Sequence, residues 1–468
     1  MAERFAFILT VDVGSKMKQK KNYEMDMCSG PILKKMLLFA IPLMCSSILQ
    51  LLFNAADVVV VGRFAGDNSL AAVGSNTALI NLLMNLFMGL SIGANVLAAR
   101  YYGAKQDEEL KKTVHTAMLV SIYSGILLTV VGVIGARQIL IWMRSPKEVL
   151  NLSALYLRIY FLGMTSTMVY NFGSALLRAI GDTKRPLYYL MEAGVVNVIL
   201  NLIFVICFHM DVAGVALATV ISQTISAFLV LRCLIREQGA IHLELRKMRI
   251  DRVKFVQILK VGLPAGFQGV VFALSNVVIQ SSINLFGATV VAGNSAAANI
   301  EGFVYVAMNA FYQTAISFIS QNFGAGNQKR INRCAVLAEA CVVVVGILFG
   351  NACVVFGRPL LHIYSGSTAV IDAGMRRLHV IARTYALCGI MDVMVGALRG
   401  VGYSVMPMVV SLIGACGLRL VWLATVFQIP AYHTVNIVYL SYPITWIITL
   451  SVHIICFVLI RRKQMQSV

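Results

Sequence analysis

The residue with the clearest capacity for chemistry is an aspartate within an apolar segment, "QLLFNAADVVVVG". Gln50, Asn54 and Asp57 are spaced i, i+4 and i+7, which places the three side chains on one face of a helix. Asp57 is the only acid there, and a charged side chain at the centre of a bilayer costs about 2.5–3.5 kcal/mol. An acid in that position therefore indicates ion or substrate handling. The alternative is a structural carboxylate that pairs with a neighbouring helix or extends past Arg63 to the membrane surface.

Neutral oxygens in later apolar segments of the first half could complete a site around this acid. Asn197 and Asn201 lie one helical turn apart, and Asn171 and Thr219 lie in the apolar segments on either side of them. Two amides alone could merely join helices, at about 0.6 kcal/mol per hydrogen bond. Taken with the acid, they predict an oxygen-rich chamber. Its ion-coupling residues would be Asp57, Gln50, Asn171, Asn197, Asn201 and Thr219.

Two ions fit such a chamber. One carboxylate with neutral dipoles from Asn197, Asn201 and Thr219 suits Na⁺, because hard cations prefer oxygen ligands. A desolvated carboxylate at Asp57 could instead load a proton near neutral pH and release it when the chamber rewets. Because Asn201 cannot titrate, the sequence slightly favours Na⁺ over H⁺. No cofactor beyond the coupling ion is expected.

The second half of the chain carries a different polar set, in which Glu301 and Asp392 are the acids. Rings such as Tyr305 could stack on a cationic substrate, although aromatic residues at helical spacing more often pack against their neighbours. A buried pair with Arg419 is the alternative role for Asp392. We predict a substrate cavity lined by Asn54, Asn276, Gln280, Glu301, Tyr305 and Asp392.

These residues belong to a chain of 468 residues whose composition excludes a soluble globule. It is 59% hydrophobic and 13% charged, with a mean hydropathy of +0.80, whereas soluble domains are about a quarter charged. Apolar runs of about 20 residues, each long enough to cross the hydrocarbon layer, recur along it. Because a backbone in lipid must satisfy its own hydrogen bonds, the predicted fold class is an all-α polytopic membrane protein with twelve transmembrane helices. The runs are centred near Cys45, Met84, Ser124, Met164, Val198, Thr224, Phe272, Tyr305, Val345, Ile390, Ile413 and Thr449.

The net charge of +19 is distributed asymmetrically along the chain. With the amino terminus inside, most basic residues fall in cytoplasmic segments, which is the positive-inside pattern. The outer side would keep Arg63, Arg137, Arg144, Lys147, Arg358, Arg376 and Arg377. The sequence therefore predicts a multi-pass protein with both termini cytoplasmic, and it disfavours nucleic acid as a partner.

Two stretches repeat one pattern: "LLRAIGDTKRPL" from Leu176 and "ALRGVGYSVMPM" from Ala397. Their arginines, Arg178 and Arg399, are 399 − 178 = 221 residues apart, and "ARYYGAKQ" matches "SQNFGAGN" at the same offset. Six helices per half give both halves one orientation, an arrangement typical of secondary transporters. In each motif a glycine would end the fourth helix of its half and a proline would begin the fifth.

The domain organisation follows from this duplication and from the charged segment "LRCLIREQGAIHLELRKMRIDRVKF" between the halves. The first half begins at an apolar stretch in which Pro42 aligns with Pro264 of the second half, at 264 − 42 = 222. We expect a disordered basic cytoplasmic tail, a six-helix bundle, a cytoplasmic linker, a second six-helix bundle and a short cytoplasmic tail over residues 1–33, 34–235, 236–253, 254–462 and 463–468. The two bundles would be pseudo-symmetric.

The motifs "PLMCSSILQLLFNAADVVVVGRFAG", "GSALLRAIGDTKRP", "VAGVALATVIS" and "GALRGVGYSVMP", with twelve helices in two parallel halves, carry a family resemblance. Over residues 30 to 462 the chain resembles the multidrug and toxic compound extrusion (MATE) family. The resemblance implies a cation-coupled exporter of organic cations or other amphipathic molecules. It also implies two bundles around a V-shaped cavity that opens to each side of the membrane alternately.

The prokaryotic branch of that family with an acidic site in its amino-terminal lobe gives the closest match of individual residues. The matching residues are Gln50, Asp57, Asn197 and Thr219. Asn201 departs from the pattern, because that branch often has Asp there, and a relay of two acids is therefore in doubt. Another branch has a seventh-helix glutamate, where this sequence has Phe272 near the expected place. A sodium site of that type in the second half is not expected.

Other functions have weaker support. A lipid-linked saccharide flippase of the same superfamily would line its cavity with several basic residues, whereas few arginines lie within these helices. The sequence has no GxxxxGK[ST] loop for ATP, no catalytic pair of an intramembrane hydrolase and no filter-like loop of a channel. We therefore expect a non-enzymatic antiporter for small molecules, working as a monomer in a bacterial-type inner membrane.

Overall fold

The computed structural model describes residues 23–143 and 147–466, and this part of the chain is helical without a strand. The helices of its first half are α1 Ile32–Phe64, α2 Asp67–Gly103, α3 Asp107–Trp142, α4 Lys147–Leu162, α5 Met164–Ala179, α6 Lys184–Leu202 and α7 Asp211–Arg236. Those of the second half are α8 Arg252–Asn284, α9 Ala288–Gly324, α10 Gln328–Val355, α11 Gly357–His362, α12 Thr368–Arg377, α13 Arg383–Gly400, α14 Val405–Ser411, α15 Leu418–Ala424 and α16 Val435–Gln466. Single 3₁₀ turns lie at Leu245–Lys247, Val426–Gln428 and Pro430–Tyr432.

Three π-helical turns interrupt this α-helical pattern without ending the spans. They lie at Ile203–Cys207, directly after α6, at Leu378–Ala382, between α12 and α13, and at Leu412–Gly417, between α14 and α15. Short π segments inside helices are rare and are frequent at functional sites. Each of these three is close in sequence to a buried polar residue: Asn201, Arg377 or Arg419.

Eleven helical segments of the described residues are long and apolar enough to cross a membrane, and α4 with α5 makes a twelfth that is bent by 45°. The bend lies at Gly163, between the two helices. All the centres predicted from the sequence fall inside these spans. The predicted fold class is therefore confirmed for the part of the chain that the structure describes.

The repeated motif forms the same turn in both halves. Gly181 and Gly402 have φ angles of +95° and +98°, a left-handed conformation that glycine adopts without steric cost. They follow α5 and α13, and Pro186 and Pro407 lie in the first turns of α6 and α14, as the motif predicts. The linker between the halves begins after α7, at Glu237, and α8 begins at Arg252.

The two halves meet along one end of the molecule, where the last part of α2 runs against the first part of α8. A Cβ atom on Gly89 or Gly93 would collide with the backbone around Gly262 or Gly266, so the two helices touch through their main chains. The junction continues where Phe39 of α1 meets Phe318 of α9, with ring centroids 5.7 Å apart. The halves thus contact each other at this end of the molecule. We call this end, which carries the loops after α2, α5, α7, α9 and α13, the basic end.

Residues 23–31 cross the basic end as a non-helical segment, here called the strap. The Met25 amide donates a hydrogen bond to the Ile180 carbonyl oxygen of the first half at 3.0 Å. The Met27 amide donates to Oε1 of Gln321 in the second half at 3.2 Å, and the same glutamine donates to the Ala179 carbonyl oxygen at 2.7 Å. The strap and Gln321 therefore tie the halves together.

The strap differs from the disordered tail that we expected over residues 1–33. Residues 1–22 lie outside the described residues, but the Met27 side chain is fully buried in the core cluster shared by α1 and α9. Its carbonyl oxygen accepts hydrogen bonds from Asn322 and Arg330 at 3.1 and 3.0 Å. An apolar anchor and a hydrogen-bonded backbone together fix this segment.

One charge was placed wrongly by the sequence analysis. Arg377 was assigned to the outer side, but α12, the π turn and α13 form one continuous span, and Arg377 is 8% exposed inside it. The polar stretch "MRRLHVIARTY" resembles a loop in composition. It is helical because Arg377 within it pairs with the buried Glu301. Arg144, assigned to the same side, lies outside the described residues.

Candidate ion and substrate sites

The acid predicted from the sequence lies where three helices of the first half converge. Asp57 of α1 accepts a hydrogen bond from the side-chain amide of Asn201 on α6. That amide nitrogen also lies 3.3 Å from Oδ1 of Asn197, one turn earlier, and the Asn197 amide lies 3.5 Å from the hydroxyl of Thr219 on α7. The structure therefore brings together the four residues that the sequence analysis named as Na⁺ ligands.

Asn201 leaves one oxygen of this cluster without a hydrogen bond. Its side chain is fully buried, and its Oδ1 atom has no partner among the described residues. Because buried side-chain oxygens are normally hydrogen-bonded, an unused acceptor beside a carboxylate suits a cation ligand. The residues present thus fit a Na⁺ held by Asp57, Asn197, Asn201 and Thr219, and they equally allow a proton on Asp57.

Two tyrosines of α4 complete the surroundings of Asp57, and the sequence analysis did not single them out. Tyr156 and Tyr160 stack with ring centroids 5.9 Å apart, and both lie within electrostatic reach of the Asp57 carboxylate. Aromatic faces attract cations as well as filling space. No pattern in the sequence separates these rings from aromatic residues that only pack.

The other residues predicted for ion coupling are not drawn into this cluster. Gln50 shares a face of α1 with Asp57 but is exposed, as is Asn54, which was assigned to the substrate cavity. Asn171 on α5 makes no hydrogen bond to the four clustered residues within the described part of the chain. The compact cluster is therefore limited to Asp57, Asn197, Asn201 and Thr219.

Glu301, predicted to line a substrate cavity, is clamped by an arginine. Arg377 donates to both carboxylate oxygens of Glu301, with Nη2 to Oε2 at 2.7 Å, and Nη1 donates to Asn294 at 2.7 Å. Asn294 donates in turn to Gln280 of α8 at 3.0 Å. Glu301 and Arg377 are 2% and 8% exposed. This buried pair joins α8, α9 and α12, and its acid is not free to bind a cation.

Asp392 is not paired with Arg419, the alternative that the sequence left open. Arg419 donates to the Thr445 hydroxyl at 3.1 Å, and its guanidinium lies over the Tyr442 ring, 4.0 Å from the centroid. No ion pair joins Asp392 and Arg419 among the described residues. The charged group that acts most directly on Asp392 is Arg399.

Arg399 and Tyr305, two neighbours of Asp392, have different environments. Arg399 donates to Oε1 of Gln268 at 2.7 Å and to the Tyr312 hydroxyl, which holds it against α8 and α9. Tyr305, which lies within electrostatic reach of Asp392, is 39% exposed, and Asp392 itself is half-buried. Of the residues predicted to line the substrate cavity, Tyr305 and Asp392 are therefore the two near Arg399 that have accessible surface. Asn276 is also exposed, on α8.

A further acid of the second half was missed by the sequence analysis. Glu339 lies on α10, and both of its carboxylate oxygens are buried without a hydrogen-bond partner in the described residues. The signal was present, because this is a lone acid in the apolar stretch "AVLAEACVVVV", as Asp57 is in its own segment. Both halves therefore carry a lone acid in a transmembrane helix.

The donor sets within the described residues do not resemble a transition-metal site. No group of three or more His, Cys, Asp or Glu side chains comes together there. The cysteines described are all free thiols, spread over both halves. One carboxylate among neutral oxygens, as around Asp57, is chemistry for a monovalent cation or a proton.

Comparisons with known proteins agree with the fold and with the duplication. The MatE family model matches residues 42–203 and 264–425, two segments offset by 264 − 42 = 222. "Probable multidrug resistance protein YoeA" of Bacillus subtilis is 27% identical over 428 residues, which cover 89% of this chain and 91% of the relative. "Multidrug export protein MepA" of Staphylococcus saprophyticus is 22% identical over 388 residues, covering 82% and 85%.

A solved structure shares the whole architecture. It is described as the outward-facing conformation of a multidrug resistance MATE family transporter of the MOP superfamily. The TM-score is 0.89 at 19% identity, with 96% of this chain and 100% of the other chain covered. At this identity the likeness establishes the fold alone.

Proposed function

The chain belongs to the MatE family, and on this premise we propose that it is a secondary active antiporter that exports amphipathic small molecules, chiefly organic cations, in exchange for Na⁺ or H⁺. The names of its relatives, which are multidrug export and resistance proteins, support drug export over lipid-linked saccharide flipping. The observation that carries the coupling proposal is the partly buried hydrogen bond from Asn201 to Asp57, with the unused Asn201 side-chain oxygen beside it.

In this proposal the ion acts by changing the charge of the chamber. Without an ion, the Asp57 carboxylate is stabilised only by neutral polar neighbours, Asn201 and Thr219. A bound Na⁺ or proton neutralises it, which favours the arrangement of helices that encloses the chamber. The ion shifts the equilibrium between the two arrangements only if it binds one more tightly than the other. The ion then changes the affinity for substrate, and substrate changes the affinity for the ion by the same factor. Ion entry and substrate release are thereby linked.

The charge distribution supports an orientation with the basic end in the cytoplasm and with both termini there. In that orientation the halves and the strap close the cytoplasmic side, and the V-shaped cavity expected from the family resemblance opens outward. The protein would act as a monomer of a bacterial inner membrane, with a small-molecule substrate and the coupling ion as its ligands.

The test is efflux of ethidium from proteoliposomes under separately imposed Na⁺ and pH gradients. Wild type should respond to at least one gradient, and Asp57→Asn should lose that response while it still inserts and folds. Gln50→Ala, a change to an exposed neighbour on the same helix face, is the matched control and should keep the response. Full gradient-driven efflux by Asp57→Asn would remove the first half as the coupling site.

A further inference from the structure

Glu339 is a buried carboxyl group that the ion site around Asp57 does not use. It lies 339 − 328 = 11 residues into α10, near the middle of a span of 28 residues. Neither carboxylate oxygen has accessible surface or a partner among the described residues. An ionised carboxylate left without a partner in such surroundings costs several kcal/mol. The group is therefore stable there when it carries a proton.

The packing of α10 against α13 places a second acid opposite this one. The register of these antiparallel helices is fixed by three close pairs: Gly350 with Ala382, Gly346 with Ala386, and Val342 with Gly389. In two pairs the residue numbers sum to 732 and in the third to 731, so Glu339 lies at the level of Asp392 and Val393. Asp392 is thus the acid of α13 nearest to this level, and its charge acts on the Glu339 carboxyl group.

The remaining groups around the pair do not neutralise it. Arg399 is the cation nearest to Asp392, and it is engaged with Gln268 and Tyr312. The other titratable groups that face Asp392 are Tyr305 and Tyr312 of α9 and Cys388 of α13.

We propose that Glu339 is a proton-binding site of the second half and that it exchanges its proton with the cavity through Asp392. Two neighbouring carboxylates cannot easily both be ionised, so the pair holds one proton and one negative charge. When the two side chains come into hydrogen-bond contact, the proton passes from the Asp392 carboxyl to the Glu339 carboxylate, and it returns by the same route, with the charge of the pair unchanged.

This inference rests on the proposed exporter function and gives it a second exchange step. The accessible Tyr305 ring beside Asp392 is a surface on which an organic cation can stack. A cation bound there stabilises the doubly ionised pair, and the proton leaves to solvent. Substrate and proton thus compete for the same negative charge, which is the condition for exchange.

The proton itself is tested by infrared spectroscopy of the purified protein in lipid at neutral pH. The carbonyl stretch of a protonated carboxyl should be present in wild type, absent in Glu339→Gln and retained in Glu148→Gln, a surface glutamate. Glu339→Asp should restore an absorption at a shifted frequency. In D₂O, Asp392→Asn should slow the isotope shift of the band. An unchanged band in Glu339→Gln overturns the proposal, whether or not ethidium is exported.

The functional arm uses the same proteoliposomes with ethidium. Glu339→Gln should lose pH-gradient-driven efflux and keep the response that depends on Asp57 under a Na⁺ gradient. If wild type transports no ethidium under either gradient, the exporter proposal fails for this substrate, while the infrared result still decides whether Glu339 holds a proton. A Glu339→Gln variant with an unaltered response to pH gradients would contradict the exchange step.

Discussion

Asn201 binds the Asp57 carboxylate through its side-chain amide nitrogen, while its side-chain oxygen is buried and has no partner in the part of the chain that the structure describes. A single side chain thus orients the acid and supplies a free acceptor beside it. Glu301 in the other half has the opposite environment, because Arg377 already occupies both of its oxygens. The first acid has a buried acceptor beside it, whereas the second is already occupied by a guanidinium group.

Replacement of Asn201 by alanine should weaken Na⁺ binding. The change removes an oxygen ligand and a hydrogen bond to a charged group, worth about 1.5–3 kcal/mol, or about 10- to 100-fold in Kd. Binding of ²²Na⁺ to the purified protein measures this effect. Asn351→Ala, at an exposed amide bonded only to its own helix, should leave the affinity unchanged. Equal affinities in the two variants would rule out Asn201 as a ligand.

Asn201→Asp should convert the site towards proton coupling. A second carboxylate beside Asp57 cannot ionise freely, so one of the two acids retains a proton over a wider pH range. We expect efflux driven by a pH gradient to increase relative to efflux driven by a Na⁺ gradient. Proteoliposome assays with each gradient imposed separately give this ratio. A ratio that stays at the wild-type value would show that the chamber does not select the ion.

The Glu301–Arg377 pair should be required for stability. Removing one partner of a buried ion pair leaves the other charge unpaired, at a cost of about 3–5 kcal/mol. Glu301→Gln should therefore lower the thermal unfolding temperature in detergent by many degrees. Asp372→Asn breaks the exposed pair with Arg358, 2.7 Å apart, and should cost at most about 1 kcal/mol. Similar losses in both variants would contradict a structural role for the buried pair.

A methyl group at the glycine contact between the halves should push α2 and α8 apart. Gly89→Ala would place its Cβ against the backbone of Gly266, which cannot move aside as a side chain can. We expect a lower unfolding temperature and a weaker closure at the basic end. Gly302→Ala is the matched control, because nothing lies within 4 Å of its added Cβ. It should be neutral or slightly stabilising, since alanine favours a helix over glycine by about 1 kcal/mol.

Loss of the Gln321 side chain should loosen the strap. Gln321→Ala removes the bonds to the Ala179 carbonyl oxygen and the Met27 amide, together worth about 2 kcal/mol, or about 30-fold in an opening equilibrium. The fully buried thiol of Cys334 reports this opening. In a variant that keeps Cys334 as its one cysteine, maleimide labelling should accelerate accordingly. Labelling at the wild-type rate would mean that the strap does not hold the basic end closed.

The sequence predicted the spans, the duplication and the residues that cluster around Asp57 for identifiable reasons. Hydropathy marks each span because lipid forces helices, and the repeat fixed the equivalent turns at Gly181 and Gly402. Asn197 and Asn201 were recognised because amides one turn apart share a helix face. Their contact with Asp57 depends on how α1 packs against α6, and the spacing of residues within each helix does not predict that packing.

The failures have equally specific causes. Arg377 was placed outside the membrane because composition cannot show that a buried glutamate awaits it on another helix. Tyr156 and Tyr160 were overlooked because stacking rings and packing rings have the same spacing. Glu339 was detectable from the sequence. It is a lone acid in an apolar run, and the argument that singled out Asp57 applies to it equally.

The π turns have a consequence for how the two halves diverged. A π turn uses i→i+5 hydrogen bonds in place of the i→i+4 bonds of the α-helix. Under the 221-residue offset Ile203 corresponds to Ala424, which lies beyond the π turn of its own half. Leu378 corresponds to Leu157 and Leu412 to Met191, and both of these lie in regular α-helices of the first half. The backbone irregularities therefore fall at non-equivalent positions, and one duplicated scaffold carries two unlike interiors.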